Sequence, residues 1–147
     1  MDYPDFFLRG ISGQNHVGDD DTISGAVFHF GGKDNVEERN DDYNEESIFW
    51  KDDEEAITLI LSQKKVSGDL QFKVGAVVVN RKKVDNVIKV ILEEEKLSYE
   101  RKPDPKNPNN KYHGNLLLKK STSNMRMKNI AGMLAECCDK LIRQKKG

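Results

Sequence analysis

LQFKVGAVVV, residues 70–79, decides the fold. Leu70, Phe72 and Val74 alternate with Gln71 and Lys73, the period of two that a half-buried strand shows. From Val74 to Val79 the run is apolar throughout, which predicts a central strand of the sheet. Gly75 interrupts it and reads as a point of close backbone packing. Working outward, Val84, Val87, Ile88, Ile91 and Leu92 recur at helical spacing, so a helix over 84–95 follows the strand. Ahead of it, Ile57, Ile60 and Leu61 form the stripe of another helix. Asp52 with Glu55 predicts a capping box at its start, and Gly68 ends it.

Further out, residues 5–11 (DFFLRGI) form a first strand, with Phe7 and Arg9 on one side and Phe6 and Leu8 on the other. Residues 23–30 (ISGAVFHF) read as a second strand and 47–50 (SIFW) as a short third. Residues 97–102 and 112–118 read as strands joined by a protruding turn, PDPKNPNNK at 103–111. Ser121 to Ser123 offer an N-cap, and Met127, Ile130, Met133 or Leu134, Cys137 and Leu141 predict one last helix over 124–143. Strands outnumber helices without alternating with them. The expectation is a single α+β domain over 1–147, a mainly antiparallel sheet with about three helices on one face.

The charged fraction of 33% and hydrophobic fraction of 36% describe a modest core under a heavily charged surface. Residues 1–55 hold 16 Asp and Glu against 4 Lys and Arg, while residues 56–147 hold 9 against 20, within a net charge of −1. Either the acidic third folds over the basic remainder, or each half meets a partner of opposite sign. Residues 31–46 are the most acidic stretch and read as a surface loop. No apolar run reaches the ~20 residues of a membrane span, and the N-terminus has no signal-peptide pattern. The only two cysteines, Cys137 and Cys138, are adjacent, which points to a reducing, cytoplasmic setting.

No histidine has a ligand at metal-binding spacing, no CxxC pair exists and no Gly-rich phosphate loop follows a strand, so neither a metal nor a cofactor is expected. Asp19, Asp20 and Asp21 lack the calcium-loop pattern and read as a solvated acidic turn open to a basic partner. His113 follows the Pro/Asn turn, where a side chain is exposed yet firmly held, and is with Tyr112 and Asn107 a binding candidate. Arg81, Lys82 and Lys83, with Arg101, Lys102, Lys106, Lys111, Lys119, Lys120, Arg126 and Lys128, could track phosphates, and Tyr99 and Tyr112 could stack on bases.

Two resemblances add to this. FFLRGIS at 6–12, SGAVF at 24–28, WKDD at 50–53, and Asn107-Pro108 with Tyr112-His113-Gly114 resemble small bacterial proteins that carry an N-terminal R-G-I strand and a terminal N-P-x-H segment. Genes for those proteins lie in mobile or defence-related clusters, so the likeness implies an accessory or interaction role. FFLRGIS also looks like the arginine-bearing first strand of ADP-ribosyltransferases, which implies that Arg9 holds dinucleotide phosphates. That family's Ser-Thr-Ser strand and later glutamate have only Ser121-Thr122-Ser123 and Glu136 to match, both within or beside the last helix.

The leading expectation is a non-enzymatic protein-interaction module of a bacterial multi-component system, docking through its acidic loops and the Pro/Asn turn. A degenerate ADP-ribosyltransferase using Arg9 and His113, and a nucleic-acid-binding module using the basic surface, are the alternatives. Another protein is the expected partner, with nucleic acid second and self-association open.

Overall fold

A computed structural model of the chain describes residues 3–30, 42–104 and 110–145. Their order is β1 (Phe6–Ile11), β2 (Tyr43–Trp50), α1 (Glu55–Ser62), β3 (Gly75–Asn80), α2 (Arg81–Val90), β4 (Ser98–Arg101), β5 (His113–Lys119), α3 (Asn124–Ala135) and β6 (Cys138–Arg143). All six strands join one sheet in the order β4-β5-β2-β1-β3-β6, every neighbouring pair antiparallel. The α+β class therefore holds.

The helices lie on both faces of the sheet, where one face was expected. Alternation along each strand makes two cores. Phe7, Ile48, Trp50, Val77, Val79, Leu116 and Leu118 face α2 and α3 and pack with Val84, Ile130 and Leu134. Leu8, Phe49, Ala76 and Val78 face the opposite way, against Ala56 and Ile60 of α1. A Val, Leu, Ile or Phe side chain fully buried in these cores contributes roughly 1.5–3 kcal/mol from water exclusion. The fully apolar run of β3 is what a strand covered on both sides requires.

Several boundaries move. The strand expected over 23–30 does not form: Gly25–Phe28 make a turn of 3-10 helix, opened by Ser24, whose hydroxyl accepts from the Ala26 amide, and Ile23 makes only an isolated bridge to Val17. Gly25 packs there against the backbone of Ala131 and Gly132, close enough that a Cβ would stand 3.2 Å from the Gly132 nitrogen. Residues 70–73 leave the ladder as well, and Phe72 lays its ring over Gly10. Residues 31–41 of the acidic stretch and 105–109 of the Pro/Asn turn lie outside the described residues. The acidic residues from 43 onward are not loop: they form the first half of β2.

Helix ends follow their caps. The Asp52/Glu55 box does not form; Asp53 Oδ1 accepts from the Glu55 amide, and Asp52 instead pairs with Arg101 at 2.8 Å. α2 begins at Arg81, earlier than expected, because the Asn80 side chain caps the amides of Lys82 and Lys83 as β3 runs into the helix. α3 is capped by Ser123 as expected but stops at Ala135, and residues 138–143 turn back as the edge strand β6.

Candidate functional site

α1 is eight residues long, about 12 Å. It covers β1, β3 and the end of β2, and among the described residues no helix lies on that face over the side of the sheet formed by β2, β5 and β4. Register decides what stands there. Ser47 of β2 is opposite Asn115 of β5, which is opposite Glu100 of β4; Glu45, two residues before Ser47, shares the face. His113, opposite Phe49, completes the group.

These side chains hold one another. Asn115 Nδ2 donates to Glu100 Oε1 at 2.7 Å. His113 is 6% exposed, with Nδ1 2.7 Å from the Lys102 carbonyl and Nε2 2.7 Å from Ser47 Oγ. A carbonyl only accepts, so Nδ1 carries the ring proton and, in the neutral ring, Nε2 accepts from the Ser47 hydroxyl. The Lys102 amide in turn donates to the His113 carbonyl at 3.3 Å, closing a two-bond clamp between the residues. Ser47 itself is exposed. Glu45 Oε1 is shielded from solvent with no hydrogen bond, and Lys102 Nζ stands 3.9 Å from it.

Arg9 lies on the other face, with Phe7 and Ile11. Its Nε donates to the Val27 carbonyl (3.0 Å), Nη1 to the Ser47 carbonyl (2.9 Å), and Nη2 pairs with Glu46. Ser47 thus has its carbonyl held from one face by Arg9 and its hydroxyl from the other by His113. The two candidates do not share a cleft. All three guanidinium nitrogens of Arg9 already have protein partners, which removes support from a phosphate-holding role.

Burial pushes the Glu46 carboxyl up to about 7, with Arg9 acting against the shift. An acid raised in the folded state above its unfolded value near 4.5 binds its proton more tightly when folded. Stability is therefore expected to fall as pH rises from about 4.5 through about 7, by up to roughly 3 kcal/mol for this one group. In Glu46→Gln that component disappears, which urea melts across the window will read. A wild-type curve that instead rises relative to the variant would mean that the Arg9 charge outweighs burial.

Most of the remaining described candidates are engaged in the structure; Lys82 and Asp19 are exposed. Tyr112 is buried and its hydroxyl donates to Asp53 at 2.7 Å, which lifts the phenol to about 12. Tyr99 packs against Tyr3, Phe7 and Trp50 and donates to Asp85 at 2.6 Å. Neither ring is open to stack on a base. Arg81 binds Asp85, the Pro4 carbonyl and Asp5, and Lys83 binds Asp139; Lys82 is exposed at the first turn of α2. Asp20 accepts from the Thr22 amide and hydroxyl, and Asp21 pairs with Arg143. Asn107 lies outside the described residues. Burial pushes the thiols of Cys137 and Cys138 up to about 11 and about 12, so both stay protonated.

Much of the charge division is internal. Asp5–Arg81, Asp21–Arg143, Glu45–Lys102 and Asp52–Arg101 each join the acidic third to the basic remainder. Among the described residues no group of three or more His, Cys, Asp or Glu is placed to hold a metal, and no helix is long and apolar enough to cross a membrane.

Sequence reading found His113 but missed Ser47, Glu45, Asn115 and Glu100. Their convergence depends on the β2–β5–β4 register, and no motif in the chain announces it. The fold and this face define an α+β protein with a wholly antiparallel six-stranded sheet and a preorganised polar patch beside α1. No family model, no curated protein and no solved structure matches the chain.

Proposed function

We propose that the chain is a protein-interaction module, an accessory component of a bacterial, defence-related, cytoplasmic system, and that it meets its protein partner through the polar half-face of β2, β5 and β4. The observation that supports this reading is Glu45 Oε1. A shielded carboxylate oxygen without a hydrogen bond carries an unmet desolvation cost of about 1–3 kcal/mol. A donor from a docking protein would relieve it. Glu100, Asn115 and His113 are already fixed in position, so little side-chain entropy is lost on contact.

The phosphate-tracking alternative draws less support, because Arg81, Arg101 and Arg126 are paired with carboxylates and both candidate stacking rings are packed inside. The test is co-elution of the purified chain with the protein products of its neighbouring genes, followed by titration of any complex. Lys102→Glu places a second negative charge beside Glu45, and is expected to weaken that complex about tenfold or more while the melting curve stays near wild type. A chain that remains alone with every neighbour product, or a complex indifferent to Lys102→Glu, overturns the reading.

A further inference from the structure

We propose that Ser47 and His113 form a nucleophilic pair that transfers short acyl groups from esters to water. The reading does not rest on the protein partner; it goes beyond it by assigning chemistry to the same face.

Three features of a nucleophile and its base meet here. First, the distance: Ser47 Oγ to His113 Nε2 is 2.7 Å, within the reach at which imidazole takes a hydroxyl proton. Second, the tautomer: the Lys102 carbonyl at Nδ1 holds the ring proton on the far nitrogen and leaves the Nε2 lone pair for Ser47. A backbone carbonyl thus stands where other pairs of this type use a carboxylate as orienting group. Third, access: His113 is 6% exposed while Ser47 is exposed, so the base is shielded and the nucleophile is open to solvent.

Both residues stand on paired strands, and each is fixed by a second contact. Arg9 Nη1 holds the Ser47 carbonyl at 2.9 Å, and the Lys102 amide holds the His113 carbonyl at 3.3 Å. Sites on paired strands are held more tightly than sites on loops, which is what attack geometry requires. The neighbours Glu45, Asn115 and Glu100 are polar, and the two apolar residues on this face, Phe49 and Leu117, are buried, so the face offers no open apolar trough for a long acyl chain. The substrate class is a short-chain acyl ester of a polar alcohol.

The step balances without an outside oxidant or reductant. Ser47 Oγ bonds to the acyl carbon while its proton passes to His113 Nε2. The tetrahedral adduct collapses, the ester C–O bond breaks, and the leaving alkoxide takes the proton from Nε2. Water then attacks the acyl-Ser47 carbon and gives its proton to Nε2. The C–Oγ bond breaks, the proton returns to Oγ, and the carboxylic acid leaves.

The test uses the full chain with a fluorophosphonate probe and with 4-nitrophenyl acetate. The probe forms an Oγ–P bond and expels fluoride. Peptide mass spectrometry is expected to place the adduct on Ser47, at least tenfold faster than on Ser67, which is also exposed but lies in a turn without a histidine contact. The acetate ester should give a burst of one nitrophenolate per chain that Ser47→Ala abolishes. His113→Gln should slow Ser47 labelling at least tenfold. Wild-type labelling of Ser47 no faster than Ser67, or a burst retained in Ser47→Ala, overturns the proposal; those two comparisons decide it even where His113→Gln does not fold. Ser47→Ala that binds a protein partner normally but never bursts separates this chemistry from the interface. Failure of labelling alone leaves the interface standing.

Discussion

Trp50→Ala lowers the unfolding free energy by about 3–5 kcal/mol, the cost of deleting a large aromatic side chain from a packed core. Trp50 is fully buried at the end of β2 and stacks on Tyr3 with ring centroids 4.5 Å apart and planes 15° from parallel. Phe7 and Tyr99 meet it edge-on, each at 5.6 Å. Its indole nitrogen donates to the Glu100 carbonyl at 3.1 Å, tying β2 to the edge strand β4 across β5. Gly114 makes that crossing possible, since a Cβ there would collide with the indole, standing 2.7 Å from Cδ1. One side chain therefore joins three strands and the segment before β1. Against a typical total of about 5–15 kcal/mol, its loss removes a large share of stability. Trp50→Phe keeps most of the area but leaves the Glu100 carbonyl without its donor, and costs less, about 1–2 kcal/mol. Trp50 is the only tryptophan, so the melts are followed by far-ultraviolet circular dichroism rather than indole fluorescence. A loss under about 1 kcal/mol in Trp50→Ala would mean that the aromatic cluster is not the link between these strands.

The elements that sequence reading placed well are those whose signal is local. β1 shows its alternation within six residues, and Phe7 and Leu8 divide between the two cores as their spacing requires. The β4–β5 hairpin follows from two β-rich runs around a Pro/Asn turn, and Ser123 caps α3 through its own side chain. Where reading failed, two periods gave the same spacing. Leu134 to Cys137 to Leu141 advances by three and then four, which fits a helix. A step of four is also two strand repeats, and the chain takes that option from Cys138 on because β3 offers an open edge. Residues 43–46 failed for another reason. Acidic letters look like solvent, yet Glu46 is turned into the core, where Arg9 from the neighbouring strand meets it.

The polar half-face was illegible for a stronger reason. Ser47 and His113 are separated by 66 positions, and their contact exists only in the register that sets Phe49 opposite His113. A shift of one residue would turn Ser47 to the face occupied by Trp50 and leave His113 without it. Nothing local specifies that register. The large buried residues do, with Ile48 and Trp50 on one side and Phe49 on the other. The candidate site is thus a consequence of how the core packs, and residue types alone could not have announced it.

Gly75→Ala has the second large effect, and it strikes the opposite edge. Gly75 opens β3 at φ +145, a conformation that side chains rarely adopt. A Cβ there would run into the Ile142 carbonyl oxygen and stand 2.9 Å from the Arg143 Cα. Those are backbone atoms of β6, so no rotamer change relieves the clash; the strand itself must move away. Gly75 pairs with Arg143 and Ala76 with Ile142, so the first ladder positions of β3 and β6 separate. The contacts beyond them go too: the Gln144 amide on the Val74 carbonyl at 2.9 Å, the Gln144 side chain on the Leu61 and Phe72 carbonyls, and the Arg143–Asp21 pair. Strain and overpacking together are expected to cost about 3 kcal/mol or more. Gly68→Ala is the control. Its φ of +94 is also positive, but a Cβ there meets nothing within 4 Å, so only the backbone cost of about 1–2 kcal/mol applies. Hydrogen exchange locates the damage. The Gln144 amide should exchange at least tenfold faster in Gly75→Ala, while amides of the β2–β5 ladder, on the far side of β1, keep their protection relative to the new global stability. If Gly75→Ala proved no more harmful than Gly68→Ala, the close crossing of β3 and β6 would not be what holds the C-terminal strand to the sheet.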